Sequence, residues 1–201
     1  MLRPVRKRFV NVSIRAVVAT AILVAVVALQ SAPAIAVPQA TPPPQLVDQT
    51  GRTFTLDSLR GRVLVVTFVS AHCTDACPLV NAQFSDAAQR IASHGLSARL
   101  LTITLDPQHD PPSLMRALAN RFQANPRYWL VASGRPHDVD AIVQAFGVVA
   151  RVGKSGYREE HTTFVYVFDS SGRLSKTMLA SSGLSGDIVD AVGTMQRRTG
   201  K

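Results

Sequence analysis

From residue 46 onward the apolar positions fall into short continuous runs separated by stretches of helical period. "RVLVVTFVS" (62–70) is a nearly unbroken β-branched run with no polar face, which predicts a strand covered on both sides. "ARLLTITL" (98–105) and "YWLVAS" (128–133) read the same way. Between the first two, Leu79, Val80, Phe84, Ala87, Ala88 and Ile91 recur at helical spacing, with Gly95 as a C-terminal cap. Residues 111–122 place two prolines at the head of a second helical pattern, and residues 137–147 form a third that stops at Gly147. "LVDQTGRTFTL" (46–56) predicts two short strands about a turn at 49–52. Residues 162–179 predict a hairpin turning at 169–172, and an amphipathic helix over 185–197 follows. Strands alternating with helices give an α/β layer fold around a central sheet, closed by a terminal hairpin and helix.

The head of the chain is patterned differently. Arg3, Arg6, Lys7, Arg8 and Arg15 precede the apolar run "AVVATAILVAVVAL" (16–29), and Ala34-Ile35-Ala36 follows as a small-x-small site. That order is the pattern of a secretory signal cleaved near Ala36. The run is short for a membrane span of about 20 residues. No charge appears between Arg15 and Asp48, however, so residues 16–37 also suit an uncleaved anchor in the inner membrane. Both readings put the globular part outside the cytoplasm, in the periplasm or an equivalent compartment, with the basic flank inside. "VPQATPPPQ" (37–45) is an extended, semi-rigid spacer. The expected organisation is a signal or anchor over 1–36, a proline-rich linker over 37–45 and one domain over 46–201.

Charge adds little. The net +9 falls to +4 once residues 1–36 are set aside, and we read the remainder as spread over a globular body rather than as a nucleic-acid-binding face.

Chemistry enters with "SAHCTDACPLV" (70–80), which holds both cysteines, Cys73 and Cys77, at the expected carboxyl end of a buried strand where a helix begins. Ligands bind at that edge of open α/β sheets. Four-residue spacing puts two thiols on one helical face, near enough for a disulfide or for one soft ion. A structural clasp closing so short a loop removes little chain entropy. Cys73 falls at or before the first turn, where unpaired N–H groups favour the thiolate, and Pro78 sits where the helix must start or bend. Two thiolates suit Cu(I), which accepts few, soft donors, whereas structural zinc takes four. A copper site needs one more donor. Of the five histidines, His94 and His137 sit at helix ends and read as solvated. His109 lies in "DPQHDPP", a loop able to approach the pair. His72 adjoins Cys73, and His161 stands just before the strand at 162.

Buried strand, dithiol, proline, helix and the late "HTTFVYVFDSSG" hairpin resemble thioredoxin-like proteins, a fold with a central mixed sheet flanked by helices. With C-x-x-x-C-P in "CTDACP", a histidine at 161 and "LDPQHDPP", residues 45–197 resemble the SCO/SenC family of copper-binding assembly factors. The resemblance implies copper ligation by Cys73, Cys77 and His161, with Phe68 and the "DPQHDP" residues in support. It also implies one copper ion per chain. The implied partners are the copper-site subunit of a respiratory oxidase, and other copper carriers or thioredoxin-like reductants. The chain departs from the family pattern where Thr74 follows the first cysteine and Glu160 precedes the histidine. A second reading is a thiol–disulfide reductase: Cys73 the nucleophile, Cys77 the resolving thiol, His161 or Asp75 a modulator. No G-x-S-x-G, P-loop or HExxH motif offers another chemistry.

Overall fold

The computed structural model describes residues 42–199 apart from Asp75 and Thr162, and the backbone alone at Glu159, Glu160, His161 and Thr199. The expected signal or anchor and residues 37–41 of the spacer lie outside the described residues, and residues 42–45 carry no regular structure. The unit from Pro42 onward is compact by itself.

In chain order its strands are β1 (Leu46–Asp48), β2 (Thr53–Phe54), β3 (Val63–Val69), β4 (Ala98–Thr104), β5 (Trp129–Gly134), β6 (Ala150–Val152), β7 (Arg158–His161), β8 (Phe164–Phe168) and β9 (Leu174–Leu179). The helices are α1 (Ala76–Ser93), α2 (Pro112–Arg121), α3 (Pro136–Ala145) and α4 (Leu184–Thr199), with a 3-10 turn at Leu56–Leu59. One sheet runs β2-β1-β5-β4-β3-β8-β9, and β6 and β7 pair separately. β3, β4 and β5 are parallel, in register Val65↔Leu100 and Leu100↔Trp129, because helical crossovers connect them. β8 returns antiparallel on β3, and β1 antiparallel on β5, so the sheet is mixed.

β3 is buried along its whole length and alternates between two cores. Val63, Val65 and Val69 face α1, α2 and α4 with Phe84, Trp129 and Ile188. Leu64, Val66 and Phe68 face α3 with Leu101, Ile142 and Tyr166. Covering on both faces is why its sequence lacks polar alternation. On α1 the stripe Cys77, Val80, Phe84, Ala87, Ala88 and Ile91 points inward. Leu79, expected in that stripe, is instead 43% exposed, since it sits one helical step off the face. The terminal hairpin turns at 169–172 as the sequence implies, with Gly172 at φ +84°. Where the chain enters, Gly134 must lack a side chain. A Cβ there would stand 2.8 Å from the Gln45 carbonyl oxygen.

The β1–β2 turn is held by Asp48, a buried carboxylate. Its Oδ1 accepts the Thr50 amide (2.8 Å), the Thr50 hydroxyl (2.6 Å) and the Arg52 amide (3.1 Å), and Oδ2 accepts the Arg52 guanidinium at 3.3 Å. Burial pushes its pKa up, but the hydrogen bonds from Thr50 and Arg52 together outweigh it and hold the carboxyl below its usual range. A depressed carboxyl stabilises the fold above its unfolded pKa and loses that contribution as pH falls through the folded value. Asp48→Asn should therefore cost about 1–2 kcal/mol at neutral pH. The deficit should shrink below about pH 4, as matched urea titrations of variant and wild type across that range would show.

Candidate metal centre

β3 ends at Val69 and delivers residues 70–75 to the carboxyl edge of the sheet. The Cys73 amide donates to the Ser70 carbonyl at 3.2 Å, closing a turn. α1 starts only at Ala76, so the two cysteines do not share one helix. Cys77 lies in its first turn, and Cys73 lies in the turn before it. Pro78 also falls in the first turn, where its missing N–H costs no helical bond. Both side chains are thiols: Cys73 is half-buried against the first core, and Cys77 is 2% exposed within it. Burial pushes the Cys77 thiol well above its ordinary value. Hydrogen bonding with Cys73 and the charge of Asp110 add to the rise, against an opposing backbone interaction with Ser70.

The "DPQHDPP" loop packs against this turn. Asp110 is fully buried; its Oδ2 accepts the Ala71 amide (3.0 Å) and the Thr104 hydroxyl (2.7 Å). Its backbone carbonyl accepts the Ser133 hydroxyl at 2.7 Å. Its Oδ1 has no hydrogen-bond partner and lies 3.6 Å from His72 Nε2. Burial pushes the Asp110 pKa up, against the hydrogen bonds from Thr104 and Ala71 and the field of His72. Asp106, also buried, accepts His109 Nδ1 (2.8 Å) and the Arg158 amide (3.0 Å).

The Arg158 contact reaches β7, the strand that ends at His161 and pairs there with Ala150. Tyr157, one residue before β7, stacks on the His72 ring at 3.8 Å between centroids and 3° between planes. The same ring meets His109 edge-on at 5.0 Å. The Arg158 guanidinium pairs with Asp140 of α3 at 2.5 Å. The strand carrying His161 is thus tied to the loop carrying Cys73, although the His161 side chain itself lies outside the described residues, as does Asp75.

The other sequence candidates fall where their surroundings dictate. Phe68 packs in the second core, edge-on to Phe146 at 5.1 Å and to Tyr166 at 6.2 Å. It supports β3 from the face opposite Cys77. His94 and His137 are exposed, as expected. His72 and His109, both open as third donors, are engaged with Tyr157 and the two aspartates. Among the described residues no three His, Cys, Asp or Glu side chains form a metal cluster. The donor chemistry nonetheless fits a soft ion: two adjacent thiols of unequal burial, next to a strand that ends in an imidazole. Sequence reasoning missed Tyr157, Arg158 and the β6–β7 hairpin. The short segments "ARV" and "YREEH" about a Gly153–Gly156 turn were the available signal.

The SCO1/SenC family model matches residues 34–195, and the chain belongs to that family. A SCO2-like protein of Rickettsia prowazekii is 27% identical over 139 residues, 67% of this chain and 66% of its own length. The chain thus spans just under two thirds of such relatives. Among solved structures, Bradyrhizobium japonicum ScoI with copper bound has a TM-score of 0.66 at 24% identity, covering 76% of this chain and 97% of that one. BsSco, described with a disulfide switch and as a member of the Sco family of cytochrome c oxidase assembly proteins, has a TM-score of 0.65 at 19% identity. The match covers 75% of this chain and 90% of that one. The fold is thioredoxin-like.

Unequal burial sets an order of reactivity. Iodoacetamide should modify Cys73 first, with Cys77 at least about tenfold slower until the protein is unfolded, as peptide mass mapping over time would show. Equal rates in the folded protein would contradict the described burial.

Proposed function

We propose that this protein binds one copper ion through Cys73, Cys77 and His161 and passes it to the copper centre of a respiratory cytochrome c oxidase outside the cytoplasm. The observation that carries this reading is the Tyr157–His72 stack, which joins the strand ending at His161 to the turn holding Cys73. Family membership supports it, as do the copper bound to the Bradyrhizobium japonicum relative and the oxidase-assembly role given for BsSco. Thiolates bind the cargo, so a proton must leave Cys77 first. Because burial raises that thiol's pKa, copper affinity should fall as pH falls. Oxidation of the pair to a disulfide releases two protons and two electrons and removes both donors, so loading is gated by redox state. The exposed cross-strand pair Phe164 and Leu179 at this end of the sheet offers an apolar patch for a protein partner. The signal or anchor at the head of the chain would supply the compartment.

The asymmetry of the thiols favours a second reading, a thiol–disulfide reductase of the same oxidase cysteines. The half-buried Cys73 would attack a substrate disulfide, releasing one substrate thiolate and forming a mixed disulfide. Buried Cys77 would then displace the second thiolate and close the protein's own disulfide.

Reduced residues 42–201 titrated with Cu(I) against a competing chelator should bind one ion per chain. His161→Ala should weaken binding at least about tenfold, and Cys73→Ser should abolish it. No binding, or binding untouched by His161→Ala, rejects copper delivery. Insulin reduction that persists in His161→Ala and vanishes in Cys73→Ser would establish the reductase.

A further inference from the structure

The charge of the domain is not spread as the sequence suggested. Residues 42–201 hold seventeen Lys and Arg against thirteen Asp and Glu, an excess of four. Arg60, Arg62, Arg99, Arg127, Arg173 and Arg198 gather where β3 and β4 begin and β8 ends, at the edge of the sheet remote from the cysteines. Among the described residues Asp57 pairs with Arg60, Asp169 pairs with Arg173, and Asp48 of the neighbouring β1–β2 turn acts on Arg99. The six arginines thus outnumber these carboxylates two to one. β3 separates Arg62 from Cys73 by about 20 Å.

Helix ends account for part of this pattern. α4 finishes in Arg197 and Arg198, where the helix dipole favours cations. Arg173 is held by Asp169 within the hairpin turn, whereas Arg62 and Arg127 stand in turns and need another account. Arg62 lies between two shallow grooves. The larger, about 440 Å³, is lined also by Arg173, Arg198, Ser97, Ser170 and Ser175. The smaller, about 200 Å³, is lined by Arg127 and Tyr128. Arg99 is pressed against this group. Its Nη1 donates to the Pro126 carbonyl at 3.1 Å, but its buried Nε has no hydrogen-bond partner. Burial and the neighbouring Arg62 and Arg52 disfavour its charge. Like charges that outnumber their counter-charges are complemented by an anion from outside. The cations line adjacent grooves rather than converging on one point, so a plane of many phosphates fits better than a single one.

The chain also enters here. Pro43 and Pro44 line a cavity with Leu56, Asp57 and Phe146, and those three residues also line the cavity bearing Arg60 and Arg62.

We propose that this arginine end is a docking surface for anionic phospholipid, which turns the dithiol edge away from the membrane and toward soluble or protruding partners. The proposal stands apart from the copper reading, since it uses neither cysteine.

The test is sedimentation of residues 42–201 with vesicles of phosphatidylcholine alone or with about 30% phosphatidylglycerol. Binding to the anionic vesicles only is expected, fading as salt rises from about 0.05 to 0.5 M. The triple variant Arg62→Gln, Arg127→Gln, Arg198→Gln should bind about 100-fold more weakly with an unchanged unfolding midpoint. Removing equal charge elsewhere, with Arg151→Gln, Lys154→Gln and Lys176→Gln, should cost under about fivefold. Should the first triple variant fold poorly, Arg62→Glu and Arg127→Glu singly should each weaken binding at least about tenfold. Equal loss in both triple variants, or equal binding to neutral vesicles, overturns the proposal. So does displacement from vesicles by millimolar inorganic phosphate that also raises the unfolding midpoint, since that outcome assigns the grooves to a soluble anion.

Discussion

A carboxylate with no access to water, Asp110, joins the three pieces of chain that make the dithiol edge. It accepts the Ala71 amide just before the cysteines and the Thr104 hydroxyl at the end of β4, and its carbonyl takes the Ser133 hydroxyl from β5. Burying such a group is costly, and the unpartnered Oδ1 shows that the cost is only partly offset. The adjacent Cys77 feels the same charge in the same dry surroundings, which adds to the rise in its pKa. One interaction therefore sets the shape of the cysteine turn and raises the energy needed to ionise its inner thiol. A disulfide removes that second cost, because it leaves no thiolate on Cys77, and a bound soft cation would offset it by neutralising the thiolate.

The same geometry polarises the whole domain. Parallel strands run toward the dithiol edge and the helices run back, so helix N-termini crowd that edge and helix C-termini the other. Asp138 and Asp187 sit in first turns, and Arg121, Arg197 and Arg198 sit in last turns, each favoured by the dipole it meets. Asp106 and Asp110 add negative charge beside the thiols, while Arg62 and Arg173 add positive charge at the far end. The two thiols thus lie at one end of the sheet and the group of six arginines at the other.

Strands and helices were legible in the sequence because burial leaves a periodic trace. The run at 62–70, the stripe Val80–Phe84–Ile91 and the hairpin about Gly172 recur in the structure within a residue or two. The cysteine pair was legible for the same reason, being anchored to the end of a strand that could only be central. Family motifs added the expectation of His161, whose strand is found tied to the cysteine turn. Leu79 was read less well, because a residue one step off the buried stripe turns outward. Cys73 stands before the first helical turn, one of the two places the sequence allowed, since α1 starts three residues after it.

By itself the sequence determined the elements of the main sheet and its helices, their order, and the pairing of two thiols with a strand end, since each follows from local periodicity and spacing. Only the tertiary structure decided that Tyr157 would lie flat on His72, that Asp106 would hold the amide of Arg158, and that six arginines from separate turns, strands and a helix end would line grooves at one edge of the sheet. Those contacts join residues tens of positions apart. Their partners are chosen by which strands become neighbours in the sheet, a property of the whole chain that no short window of residues carries.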